Sequence, residues 1–312
     1  MTAARRGRAR RTAGDAPREG TAGGQRVPRA TPTKIGAGAR VASDERVVLE
    51  DRCAIATTLY GGANAGRARI VLIHSLAMDH IFWRPVAERL ASQAAVLTYD
   101  ARGHGESDKP AGPYSTAQFA EDLLGLLDHL KWPSAVVAGA SMGGCVALDF
   151  AATHPGRTAG LGLVDTTAWY GPDARQQWAE RARRAQDAGL GTLVGFQIER
   201  WFGEEFRKAH PGAVQRAVDT FLRNDVDAYA ASCAMLGACD LRAALGRVKA
   251  PTVVLVGAED YATPVAMAET LERGISGARL IVLPGARHFT PIEKPDAVAD
   301  ELRRLAGLPV PR

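Results

Sequence analysis

Nine residues narrow the folding options of this chain further than any other stretch: Val136-Val137-Ala138-Gly139-Ala140-Ser141-Met142-Gly143-Gly144. An apolar run of strand character ends in Gly-x-Ser-x-Gly, and residues 145–153 then read as helix. A serine placed where a strand turns at once into a helix sits on a sharp, strained turn. Its neighbours two positions away must be small, or they collide with strand and helix, and Gly139 and Gly143 meet that demand. The following helix aims its free N–H groups back at the serine, a setting that favours negative charge. A chance Gly/Ser turn would carry the same pentapeptide without the strand before it and the helix after it. It is this context that singles out Ser141.

The rest of the chain repeats the alternation. Short, largely β-branched runs at 70–73, 95–99, 135–138, 161–164, 252–256 and 280–283 are separated by stretches of helical length. In 116–130, Phe119, Leu123, Leu126, Leu127 and Leu130 recur at the three-to-four spacing of a helix face. Strands of four or five apolar residues separated by helices imply a mostly parallel sheet flanked by helices on both faces. Residues 47–49 and 54–60 read as an antiparallel pair entering that sheet. One interval departs from the pattern. Between Val164 and Thr252 no strand is legible, 173–188 and 213–223 read as helices, and Trp169, Trp178 and Trp201 fall in or near its first half. A helical insertion at this point reads as a lid over the strand ends. The expected organisation is a tail over 1–44, a core of 45–165 and 246–312, and a lid of 166–245.

Charge separates the tail from the body. The chain has 312 residues and a net charge of +5. Residues 1–40 hold ten Lys or Arg against Asp15 and Glu19, a net +8 that leaves the remainder at −3. The tail's Gly, Ala, Pro and Arg cannot bury a core, so it is expected to be a disordered basic leader. A mildly acidic body gives no support to a nucleic-acid partner. No apolar run approaches the roughly 18 residues a spanning helix needs, so no membrane partner is expected. Cys53, Cys145, Cys233 and Cys239 are scattered without a CxxC pair or a neighbouring histidine cluster. They are expected to be buried, reduced thiols of a cytoplasmic enzyme, with no metal site.

A serine hydroxyl is a poor nucleophile at neutral pH and needs a base. His288 lies in Leu283-Pro284-Gly285-Ala286-Arg287-His288-Phe289, directly after the last apolar run. The other histidines have weaker placements: His104 in a turn, His129 on a helix, His154 before Pro155, and His80 and His210 away from strand ends. His74 follows a strand but precedes the serine. An acid must orient the imidazole and stabilise its protonated form. Asp260, at the end of Val256-Gly257-Ala258-Glu259-Asp260, is the candidate, with Glu259 and Asp165 as alternatives. An oxyanion hole needs two backbone N–H groups aimed at the developing charge. Met142 supplies the first, and Leu76, in Leu72-Ile73-His74-Ser75-Leu76, the second.

Taken together, His74-Ser75-Leu76, Tyr99-Asp100-Ala101-Arg102-Gly103-His104-Gly105, the serine turn, Gly257-Ala258-Glu259-Asp260 and His288 resemble the α/β-hydrolase superfamily over about residues 45–306. That resemblance implies the α/β-hydrolase fold and the chain order Ser, acid, His. A narrower likeness is to the 3-oxoadipate enol-lactonases. It rests on Ser75 beside His74, Gly112-Pro113-Tyr114, Arg200-Trp201-Phe202, the run from Ala231 to Leu236 leading to Asp240-Leu241-Arg242, and Ala262-Thr263-Pro264. Asp165-Thr166-Thr167-Ala168-Trp169-Tyr170 departs from the pattern expected there. The likeness implies cofactor-free hydrolysis of a small-molecule ester or lactone, such as an enol-lactone in aromatic-compound breakdown. The lid would line the pocket, making Trp169, Arg200, Trp201 and Arg242 the expected substrate-binding residues, with both arginines set to meet carboxylate. Alternative readings are a general carboxylesterase, a carbon–carbon bond hydrolase, a cofactor-free perhydrolase, or a small-molecule receptor without turnover.

Overall fold

The computed structural model describes residues 41–61 and 68–311, and the expectation for the tail over 1–40 lies outside them. Eight strands form one sheet: β1 (Val41–Val48), β2 (Ala54–Tyr60), β3 (Ala68–Ile73), β4 (Ala94–Tyr99), β5 (Ala135–Ala140), β6 (Thr158–Val164), β7 (Thr252–Gly257) and β8 (Arg279–Leu283). Their spatial order is β1-β2-β4-β3-β5-β6-β7-β8. β1 and β2 pair antiparallel, as do β2 and β4, and every later pairing is parallel. β4, β5 and β7 are buried at every position, which is why they read as unbroken apolar runs rather than alternating ones.

Two boundaries differ from the sequence reading. β1 begins at Val41, so residues 41–44 belong to the sheet rather than to the tail, and the Thr58 hydroxyl bonds the Asp44 carboxylate at 2.8 Å. Leu49 lies past the strand end in a tight turn, where its N–H reaches Cys53 O and its carbonyl accepts from Arg52 N.

The core helices are α1 (Arg84–Leu90), α2 (Thr116–His129) and α3 (Met142–Thr153). Ser115 caps α2 by accepting from Gln118 N, and its stripe of Phe119, Leu123, Leu126 and Leu127 is buried, with α3 as neighbour. α3 is buried from Met142 to Ala152 and carries mostly small residues, so it lies close against β5 and β6. After β6 the chain leaves the sheet and forms α4 (Ala174–Ala188), α5 (Val194–Trp201), α6 (Glu204–Ala209), α7 (Pro211–Leu222) and α8 (Val226–Ala238) before returning at β7. α4 packs along α8. Within the described part of this interval the extended pairing is a single bridge, Trp169 with Asp240. α9 (Val265–Gly274), α10 (Thr290–Glu293) and α11 (Pro295–Leu305) complete the flanks. All four cysteines are buried free thiols, and no described helix is long and apolar enough to cross a membrane.

Candidate active site

β5 ends at Ala140, and Ser141 turns directly into α3 with φ 53° and ψ −115°, a conformation that costs a non-glycine residue energy. The surroundings hold it there. Ser141 N donates to Val164 O at 2.9 Å, and its carbonyl accepts from Gly144 N, Cys145 N and the Thr166 hydroxyl. Because those first bonds start at the serine carbonyl, the helix begins at Met142, three residues before the reading from sequence. A Cβ on Gly139 would come within 2.0 Å of Gly143 O, and one on Gly143 within 2.3 Å of Ile73 O. Gly144, which the pentapeptide does not flag, is equally constrained: its Cβ would lie 2.5 Å from the Thr166 side chain.

His288 arrives on the loop after β8. Its Nε2 lies 2.9 Å from Ser141 Oγ and its Nδ1 lies 2.7 Å from Asp260 Oδ2. A carboxylate only accepts, so Nδ1–H donates to Asp260 and Nε2 is left to accept the serine proton. The Asp260 carboxylate is held by Ala262 N, Thr263 N and the Thr263 hydroxyl. Burial pushes the Asp260 carboxyl up, but the His288 charge and hydrogen bond, with the Thr263 bonds, outweigh it and hold the group below the usual range. Gly257 lets the histidine loop cross the end of β7, since a Cβ there would strike Arg287 O at 2.2 Å. Glu293 fastens that loop to the insertion, accepting from Arg287 N and Gly203 N at 2.7 Å each.

The other candidates lie elsewhere. Asp165 is fully buried and accepts from Gly257 N, Thr290 N and the Thr290 hydroxyl rather than from His288. Burial, and then the Asp260 charge, push its carboxyl well above the usual range. Glu259 is half exposed, 3.8 Å from Arg287. His74 accepts from Ala101 N and donates to Ser75 O, and burial lowers its pKa. His104 stacks edge-on to His74, and burial lowers it to about 3. His80 pairs with Asp100.

Leu76 lines a chamber of about 20 Å³ together with Ser75, Ser141 and His288. Met142 opens α3, where the leading N–H groups lack an intrahelical acceptor. Of the four expected substrate-binding residues, Arg200 and Trp201 line this chamber, and Trp201 stacks on Phe289 at 4.9 Å. Trp169 and Arg242 line neither the chamber nor the space outside it. The Arg242 guanidinium, on a half-exposed side chain, pairs with Asp240 at 2.6 Å and lies 3.8 Å over the Trp169 ring, so the two residues satisfy each other. Sequence reasoning missed Tyr170, Trp178, Arg181 and Gln197, which line the chamber instead. The signal was Trp178 and Arg181 at i, i+3 on one face of α4, a spacing that brings both to the same side. The Tyr170 hydroxyl lies 3.8 Å from Cys145 Sγ.

Tyr170, Trp178, Arg181, Arg200 and Ala262 line both the chamber and a larger vestibule of about 810 Å³ beside it. Such a space is large enough for a small-molecule substrate.

Comparison with known proteins agrees with this architecture. Residues 68–295 match the family described as alpha/beta hydrolase fold. The chain is 32% identical over 233 residues to 3-oxoadipate enol-lactonase 2 of Acinetobacter baylyi, covering 75% of this chain and 86% of that one. It is 30% identical to a pimeloyl-[acyl-carrier protein] methyl ester esterase of Chromobacterium violaceum, covering 70% and 86%. The crystal structure of the enol-lactonase from Burkholderia xenovorans LB400 superposes with a TM-score of 0.80 at 32% identity, over 84% of this chain and 100% of that one. This chain belongs to the alpha/beta hydrolase fold family, and it is a hydrolase.

Proposed function

We propose that the chain is a serine hydrolase that opens a lactone or ester through an acyl-enzyme, and that its substrate is an enol-lactone such as 3-oxoadipate enol-lactone. The observation that carries this reading is the unbroken relay from Ser141 Oγ through His288 to Asp260, at 2.9 and 2.7 Å, inside a chamber. His288 Nε2 takes the serine proton as Oγ attacks the carbonyl. The oxyanion rests on the Leu76 and Met142 N–H groups, a pair in which one donor is worth roughly 3 kcal/mol of transition-state stabilisation. Collapse breaks the ring C–O bond, and the enolate that leaves takes a proton and becomes a ketone. Water, deprotonated by His288, then attacks the acyl carbonyl and frees Ser141. The helices between β6 and β7 act as the lid of this site, and the protein works in the cytoplasm in breakdown of aromatic compounds. The likeness to the Acinetobacter enol-lactonase supports the choice of lactone.

The test is a rate comparison of the enol-lactone, saturated lactones and p-nitrophenyl esters, with Ser141→Ala as control. The enol-lactone is expected to be the best substrate, and Ser141→Ala to lose roughly 10⁶ in kcat. A variant that kept a tenth of the activity would overturn the mechanism. A p-nitrophenyl ester turned over faster than the lactone would overturn the substrate.

A further inference from the structure

The chamber beside Ser141 is far smaller than the space outside it, about 20 Å³ against about 810 Å³. The chamber is thus the narrow part of the space beside the serine. A substrate longer than the chamber would reach into the vestibule, and Arg181 and Arg200 line both spaces, at the neck where they meet.

Neither guanidinium has a carboxylate within 4.0 Å among the described residues. Arg181 is held from behind: its Nε donates to the Tyr229 hydroxyl at 2.7 Å, and its Cζ lies 4.8 Å over Trp178. Arg200 lies 4.9 Å over Phe196 and 5.8 Å over Tyr261, and donates no hydrogen bond to a described residue. Burial first, and then the charge of Arg181, disfavour the charged form of Arg200. The nearby Asp260 carboxylate is already taken by His288 and Thr263. Two like charges at a half-closed neck are unfavourable unless an anion joins them, and a planar carboxylate matches the fork of a guanidinium. Farther out, Phe196 and Tyr261 are 47% and 49% exposed, large apolar faces turned to the open vestibule. A substrate lying there would cover them.

We propose that Arg181 and Arg200 form a carboxylate-binding site in the neck, and that the vestibule beyond it takes extended acids, longer than a compact lactone, whose carboxylate lies apart from the scissile carbonyl. The site rests on the reading of Ser141 as nucleophile. Arg200 presents its fork to the carboxylate, Arg181 adds a second charge from a fixed position, and Phe196 and Tyr261 pack against the hydrocarbon that continues outward. Neutral esters of the same length gain the packing but leave the two arginines unpaired.

The test uses the full chain and two series of p-nitrophenyl esters of increasing length, one ending in carboxylate (monoesters of linear dicarboxylic acids) and one in methyl. The carboxylate series is expected to exceed the methyl series by about tenfold in kcat/KM once its chain reaches the neck, the scale of one charge-assisted hydrogen bond. Arg200→Gln and Arg181→Gln are expected to cut that ratio, mainly through KM, and Phe196→Ala to lower kcat/KM for the longest esters most. Equal rates for the two series at every length in the wild-type protein would overturn the proposal, with no variant needed. Loss of both series in equal proportion in Arg200→Gln would overturn it too. Turnover no greater than that of Ser141→Ala for every ester would overturn the hydrolase reading beneath it.

Discussion

At the scale of single residues, the proposed relay depends on which carboxylate is free to turn toward His288. Asp260, Glu259 and Asp165 all follow strand ends, and composition does not separate them. Side-chain surroundings do: Asp165 is spent on Gly257 and Thr290, Glu259 faces outward, and Asp260 folds back to His288 Nδ1. Asp260→Asn is therefore expected to lower kcat roughly 10⁴-fold by favouring the wrong imidazole tautomer. Steady-state rates on a p-nitrophenyl ester would measure it, and a drop of less than tenfold would return the role to another acid. A second residue-scale expectation concerns His80. Burial lowers its pKa, but the hydrogen bond and charge of Asp100 outweigh burial and raise it above the usual value. A raised histidine pKa stabilises the fold fully below the unfolded value of about 6.5, and that stability is lost as pH rises through the folded pKa. His80→Gln is accordingly expected to cost roughly 1 kcal/mol at pH 5.5 and clearly less at pH 9, read from urea melts. Equal costs at both pH values would contradict the pairing. A motif marks Ser141 and chain order marks His288, and the structure brings the two within 2.9 Å of each other. Arg242 was not, because its partners, Asp240 and Trp169, become neighbours through a bridge that spans the whole insertion.

At the scale of elements, the close approach of β3, β5 and α3 builds the strained turn. The runs of Val, Ile and Leu predicted every central strand, since strands buried on both faces leave an unbroken apolar signature. Two helices of the insertion, read at 173–188 and 213–223, were legible as helices, but not their orientation, because α4 carries a polar, arginine-rich surface that gives no single apolar face to place. Arg181 was missed for that reason. Gly143 tests how tightly the elements fit. An added methyl would meet the backbone carbonyls of Ile73 and His74 at 2.3 and 2.7 Å, so α3 or the loop carrying Leu76 must move. Gly143→Ala is expected to lose about 1–3 kcal/mol of stability from overpacking. It is also expected to lose on the order of 10²-fold in kcat, since small displacements at a reacting centre carry such costs. Thermal melting and initial rates together check this, and a variant with unchanged kcat would show that the oxyanion donors do not depend on that contact.

At the scale of the whole molecule, a rigid parallel sheet brings its strand ends to one edge, and the helices returning between β6 and β7 supply the walls of the chamber and its vestibule. Ser141, Asp260 and His288 lie at the strand ends, and α4 and α5 carry Trp178, Arg181, Gln197, Arg200 and Trp201 of the chamber wall. The strand-to-helix turn at Ser141 was legible because its motif is local, whereas the pocket is assembled from segments far apart in the chain. The proposal that Ser141 is the covalent nucleophile of this assembly is tested most directly by titration with an aryl phosphonate ester and mass spectrometry of the digested protein. One phosphonyl group per chain, carried by the peptide containing Ser141 and matched by complete loss of esterase activity, is the expected result. Inactivation with the label on any other residue, or full activity after Ser141 is labelled, would contradict it.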